Sequence, residues 1–250
     1  NDTTGRLWIG TYGGLAMYDR ESDSFRRYTH DPENSESLSS NYVLDIGPAA
    51  DGTLWLGLWG GGVSSFDPDT GVFSNYTLSD ERVYKILVDE QTIWIATYGG
   101  GLVAFDIESS GSALYTSDSG VSGQLSNDTV YSLFKDTSGI VWIGTNGGGL
   151  NRLLPGWEQF AFWENDPQDP RSIQDGKIGT ILNDSKGELW IGVYNNGLER
   201  YDEQEGTFVH YRHDSADPES LSNDIVNFVF EDSEGVLWIG TNEGLNQYNA

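Results

Sequence analysis

Leu54-Trp55-Leu56-Gly57-Leu58-Trp59-Gly60-Gly61-Gly62-Val63 decides the fold, because close copies of it run from one end of the chain to the other. The stretch reads as a strand, a glycine-hinged turn and the start of a second strand. Its copies are LWIGTYGGLAMYD (residues 7–19), LWLGLWGGGVSSFD (54–67), IWIATYGGGLVAFD (93–106), VWIGTNGGGLNRL (141–153), LWIGVYNNGLERYD (189–202) and LWIGTNEGLNQYN (237–249). Their tryptophans, Trp8, Trp55, Trp94, Trp142, Trp190 and Trp238, are spaced by 47, 39, 48, 48 and 48 residues. A near-constant period of this size marks a repeat architecture, in which each unit buries its apolar face against its neighbours.

Working outward from the motif, each unit divides into four short strands separated by turn residues. In the second unit the strands are expected at 42–46, 54–58, 63–66 and 72–76. Tight hairpins precede most core tryptophans, at Asp51-Gly52, Asp136-Thr137-Ser138-Gly139, Asp184-Ser185-Lys186-Gly187 and Asp232-Ser233-Glu234-Gly235; the opening residues 1–5 resemble the end of such a turn. Aspartate supplies local hydrogen bonds there and glycine the positive φ. Apolar and polar residues alternate only weakly along the strands, as expected of sheets covered on both faces. No window of helical length escapes Gly, Pro or Asp/Asn punctuation.

The expected fold is therefore all-β: one β-propeller domain over 1–250, built of about six four-stranded blade units at 1–41, 42–81, 82–128, 129–176, 177–224 and 225–250. The first unit lacks its first strand and the last lacks its fourth. Two such remnants do not merge into one regular blade, so the reading favours six units taken from a longer parent array.

Composition limits the partners. The 250 residues carry a formal charge of -26, from 39 acidic against 13 basic side chains, which opposes nucleic acid and anionic membrane surfaces. Such acidity suits a secreted, solubilised surface or the binding of multivalent cations. With no cysteine, thiol catalysis, disulfides and cysteine-ligated zinc are excluded. No run approaches the ~20 apolar residues of a membrane helix, so direct membrane insertion is not expected, and no signal peptide opens the chain. The expectation is a mature, extracytoplasmic bacterial piece.

Candidate binding residues lie at the loop ends. Four residues after each core tryptophan stand Tyr12, Trp59, Tyr98, Asn146, Tyr194 and Asn242. In a radial arrangement these six would ring the mouth of a channel and stack on a sugar or a peptide side chain; the alternative is that they only cap the glycine turns. Just before the first strand of each unit come Tyr42, Arg82, Thr129, Lys177 and Ile225. Arg82 and Lys177 would hold an acidic ligand by charge-assisted hydrogen bonds, or else balance nearby acids in solvent.

Catalytic signals are weak. Among three histidines, His30 and His213 recur in phase with the repeat, which points to a structural role, and His210 falls in an outer strand. No Ser/His/Asp set or zinc spacing has local support, and the aspartate hairpins lack the ligand spacing of an EF-hand. No cofactor or metal is expected. Paired carboxylates keep a propeller glycoside hydrolase or polysaccharide lyase open as the enzymatic alternative.

Together, Ser37-Leu38-Ser39-Ser40-Asn41-Tyr42-Val43, Asp51-Gly52-Thr53-Leu54-Trp55-Leu56-Gly57 and Gly61-Gly62-Val63 resemble the two-component regulator propeller repeat. The pattern recurs in residues 124–130 before VWIGTNGGGL and in 220–226 before LWIGTNEGL, with Asp31-Pro32 and Asp217-Pro218 lead-ins. The third unit departs from it, with a short Ser79-Asp80-Glu81-Arg82 connection and a glycine-free Asp89-Glu90-Gln91 turn. The resemblance implies a periplasmic or extracellular sensor region of a hybrid histidine kinase, itself not catalytic and often tied to polysaccharide uptake. It also implies an oligosaccharide or peptide ligand, or a homodimer formed through the parent receptor. An interaction or dimerisation scaffold without a small ligand is the alternative.

Overall fold

The computed structural model describes residues 2, 4–118, 124–153 and 160–248; Asn1, Thr3 and Asn249, used in reading the terminal copies, lie outside them. Two compact units divide the chain, Asn1–Tyr115 and Thr116–Ala250. In the first, β1 (Leu7–Thr11), β2 (Gly14–Asp19) and β3 (Ser24–Tyr28) form one sheet, and β4 (Val43–Pro48), β5 (Leu54–Leu58), β6 (Val63–Phe66) and β7 (Phe73–Tyr76) the next. Its third sheet is β8 (Val83–Asp89), β9 (Thr92–Thr97), β10 (Leu102–Asp106) and β11 (Ser112–Tyr115).

In the second unit, β12 (Val130–Lys135), β13 (Val141–Thr145), β14 (Leu150–Leu153) and β15 (Phe160–Trp163) make the fourth sheet. The fifth is β16 (Ile178–Asn183), β17 (Leu189–Val193), β18 (Gly197–Asp202) and β19 (Thr207–Tyr211). The sixth is β20 (Val226–Glu231), β21 (Leu237–Thr241) and β22 (Gly244–Tyr248). Strands pair antiparallel in sequence order, and the described residues contain no helix. These are propeller blades, and the first and last have three strands, as the sequence implied. In the second blade the first strand runs 43–48 instead of 42–46, and the fourth starts at Phe73, leaving Val72 40% exposed.

Packing explains the weak alternation. All five residues of β5, of β13 and of β17 are buried, with the first strand of the next sheet in the same unit, β8, β16 and β20, packed against them. One apolar layer joins Trp8 and Leu15 of the first sheet to Leu54, Leu56 and Phe66 of the second; another joins Trp190 and Leu198 of the fifth to Val229 and Ile239 of the sixth.

The aspartate turns do more than reverse the chain. Asp184 accepts the amides of Lys186 and Glu188 and, on its second oxygen, the indole N–H of Trp190 at 3.0 Å. Asp136 and Asp232 hold Trp142 and Trp238 in the same way at 2.8 Å. Asp2 does so for Trp8: burial opposes its ionisation, but hydrogen bonds from Trp8, Arg6 and Thr4 outweigh that and hold the carboxyl well below the usual range. The second and third blades break the pattern: Ala49, not an aspartate, stands six residues before Trp55. In the third, a two-residue Glu90-Gln91 turn puts Asp89 five residues before Trp94, and the buried Trp94 indole N–H has no hydrogen-bond partner among the described residues. Asp184→Ala strands a buried indole and two turn amides, so we expect it to cost about 2 kcal/mol in urea unfolding. A cost below about 0.5 kcal/mol would show that the bonds are not coupled to folding.

Both sets of loop-end residues emerge at the same end of a blade. In the second blade the amides of Gly60, Gly61 and Gly62 all donate to the Glu81 carbonyl, and Ser40 Oγ donates to the Trp59 carbonyl at 3.0 Å.

Candidate functional site

Five of the six turn residues, all but Tyr12, and the residues before each first strand form one construction, repeated from the second blade to the sixth. Trp59 N–H donates to the Tyr42 carbonyl, Tyr98 to Arg82, Asn146 to Thr129, Tyr194 to Lys177 and Asn242 to Ile225, each at 2.9–3.1 Å. Next to this link the first strand bulges: the register shifts between Val43 and Asp45, Val83 and Lys85, Val130 and Ser132, Ile178 and Thr180, and Val226 and Phe228. The extra residues are Leu44, Tyr84, Tyr131, Gly179 and Asn227. A bulge inserts one unpaired residue and re-aims its side chain, and here it brings Tyr84 and Asn227 to turn residues and Tyr131 to Lys177.

In the first unit the result is an aromatic cluster. Trp59 lies 5.3 Å from Tyr84 and 5.4 Å from Tyr98, and the two tyrosines are 5.7 Å apart, centroid to centroid. The Arg82 guanidinium lies 4.8 Å from the Tyr98 ring centre, and Asp80 accepts from its Nε at 2.9 Å and its Nη2 at 2.8 Å. That carboxylate holds the guanidinium pKa above its ordinary value, and the two arginine bonds outweigh burial to lower that of Asp80. Tyr12, 75% exposed, packs on Tyr42 at 5.8 Å.

In the second unit the same positions are more polar. Lys177 Nζ lies 4.0 Å from the Tyr131 ring centre and 5.8 Å from that of Tyr194, and burial lowers its pKa. Asn242 Oδ1 accepts from Asn227 at 2.9 Å. Thus Arg82 and Lys177 each sit on an aromatic face, and Arg82 already has an acidic partner. Tyr84 and Tyr131 escaped the sequence reading. The period-2 step from Arg82 to Tyr84 and from Thr129 to Tyr131 was the signal that could have found them.

The remaining titratable groups mostly serve the fold. His30 and His213 donate through Nδ1 to the carbonyls of Leu38 and Leu221, both at 2.7 Å, pinning the connections between blades. Glu199 of β18 is different. Its position is held by Ala16, Ser64, Val103, Asn151 and Asn246 in the other blades, yet Glu199 is wholly buried. Its Oε1 accepts the Gln174 amide at 3.0 Å and lies 3.2 Å from His210 Nδ1, while His210 Nε2 donates to the Pro170 carbonyl at 2.9 Å. Among the described residues neither His210 Nδ1 nor Glu199 Oε2, both buried, has a hydrogen-bond partner. Burial raises the Glu199 pKa to about 7, against smaller lowering by the Gln174 amide and the Arg212 charge.

Residues 124–147 and 220–243 match the two component regulator propeller family. The extracellular domain of the hybrid two component system BT3049 from B. thetaiotaomicron is 27% identical, with TM-score 0.82 over 98% of this chain and 32% of that one. The extracellular domain of BT4673 from the same organism is 21% identical, with TM-score 0.61 over 100% of this chain and 38% of that one. Virginiamycin B lyase from Staphylococcus aureus shares the fold at 14% identity, with TM-score 0.70 over 98% of this chain and 81% of that one. No curated protein matches. The chain thus spans about a third of the length of these two extracellular domains.

Proposed function

Because the chain carries two component regulator propeller repeats, we propose that it is the extracytoplasmic ligand-recognition region of a hybrid two-component sensor responding to carbohydrates. The observation that carries this reading is the Trp59–Tyr84–Tyr98 cluster with Arg82 against it. Aromatic faces stack on the C–H faces of sugar rings, and a fixed guanidinium beside them orients hydroxyl or carboxylate groups. Likeness to the BT3049 extracellular domain supports the sensor context, and a recognition role leaves the segment itself without catalysis.

A thermal-shift screen against oligosaccharides tests the reading. We expect at least one to raise the unfolding midpoint by several degrees through preferential binding to the folded state. Trp59→Ala should weaken that ligand by about 10-fold or more, since aromatic contacts contribute on the order of 1–3 kcal/mol. Silence across the screen sinks the proposal, and release of reducing sugar would turn it toward hydrolysis.

A second reading, an interaction scaffold within such a receptor, is favoured by the sixth blade. Phe228, Phe230 and Leu245 are 48%, 55% and 60% exposed, and pairing through Gly240 puts Phe228 and Leu245 in one row of one face. A concentration-dependent dimer in light scattering, together with a silent ligand screen, is its expected signature.

A further inference from the structure

We propose that Asp80 sets the specificity of the Trp59–Tyr84–Tyr98 site, making it take uncharged glycans and turn away those that carry uronic acids. The inference rests on the carbohydrate reading above and narrows it, since a lone guanidinium beside aromatic faces would accept hydroxyl and carboxylate groups alike.

Asp80 occupies the guanidinium. Its Oδ1 accepts from Arg82 Nε at 2.9 Å and its Oδ2 from Nη2 at 2.8 Å, so one edge of the planar fork, the edge a ligand carboxylate would match, is already filled. The carboxylate is fixed in turn. Asp80 Oδ1 also accepts the Arg82 amide at 3.0 Å, and its side chain is only 10% exposed. A uronate taking the same edge would have to displace Asp80 and then lie beside it, two like charges in one site.

The turn itself does not need this charge. At the same place in the second, fourth and sixth blades, Ser40, Asn127 and Asn223 accept the amides of Tyr42, Thr129 and Ile225 at 3.3, 2.8 and 2.8 Å. Aspartate stands there in the two blades whose residue two further on is a cation: Asp80 before Arg82, and Asp175 before Lys177. The repeat thus brings a cation to the loop end together with a carboxylate, and the charge of Asp80 answers Arg82, not the backbone.

The surroundings have the same sign. Lys85 is paired with Asp45 at 2.8 Å, and Glu81, whose carbonyl receives the three glycine amides of the Trp59 turn, is exposed. Two cations therefore stand among three carboxylates, in a chain of net charge -26. Repulsion of this kind acts over about 8 Å at physiological ionic strength, so it opposes a docking uronate. A neutral sugar meets no such cost. The rings of Trp59, Tyr84 and Tyr98, mutually tilted by 56° to 69°, present faces for its C–H groups.

The test divides the oligosaccharide screen into matched arms: tetramers of glucose, galactose and mannose, and the same tetramers oxidised at C6 to uronates. With the native chain we expect ligands in the neutral arm alone. Asn127 and Asn223 show that asparagine completes the same turn, so Asp80→Asn removes the charge and keeps the fold. It should raise affinity for the oxidised tetramers relative to their neutral parents by about 10-fold or more, the scale of one charge-assisted hydrogen bond. Adding Arg82→Ala should abolish that gain. An oxidised tetramer that binds the native chain as tightly as its neutral parent would overturn the proposal, and so would an unchanged ratio in Asp80→Asn or a gain that survives Arg82→Ala. Silence from both arms would instead remove the carbohydrate reading, and this assignment with it.

Discussion

Gly197→Ala is expected to lose about 3 kcal/mol of stability in urea unfolding. Gly197 opens β18 with φ +82°, and a Cβ there would run into the Tyr211 carbonyl of the neighbouring strand. The left-handed backbone costs an alanine roughly 1 kcal/mol. Displacing a carbonyl inside the β18–β19 ladder adds on the order of 1–3 kcal/mol of overpacking. Gly206→Ala is the matched control: its φ is +70°, but a Cβ there meets nothing within 4 Å, so only the conformational part of about 1 kcal/mol remains. If the two variants unfold together, close approach to Tyr211 is not what demands the glycine. Gly149, whose Cβ would meet the Trp163 carbonyl in the fourth blade, should behave like Gly197.

Glu199 gives the second large effect, read in pH. Its folded pKa of about 7 lies above the ordinary 4.5, so the folded protein holds the proton more tightly than the unfolded chain does. That stabilisation is complete below about pH 4.5 and is lost as pH rises to about 7. The Arg212 charge moderates the loss. Relative to Glu199→Gln, which cannot titrate and still offers a donor to His210, the protein should lose roughly 3 kcal/mol across that window. Other carboxylates, Asp2 among them, weaken the fold in acid and cancel in the difference between the two proteins. A flat difference from pH 4.5 to pH 7 would refute a proton held on Glu199 by burial.

Much of the fold was legible because its causes are local. Leu54–Leu58 and its copies are strands for reasons carried within five residues, and the 48-residue period counts them. The aspartate turns were legible too, since an Asp six residues before a tryptophan both closes the hairpin and reaches the indole. The exceptions are matters of counting as well: Ala49 stands six residues before Trp55, and Asp89 only five before Trp94. The candidate site was only half legible. Turn residues such as Trp59 and Tyr98 follow from the motif, but Tyr84 reaches them, and Tyr131 reaches Lys177, through bulges, which arise only when two strands pair out of step.

The sequence by itself determined that this chain is all-β, made of six repeated units with incomplete ends, because turn chemistry and apolar runs act over a few residues. The tertiary structure alone decided that Tyr84 joins Trp59 and that Glu199 is buried beside His210. Each of these depends on which residues a strand register or a neighbouring connection brings opposite one another, and that is set by pairing between segments 10 to 40 residues apart.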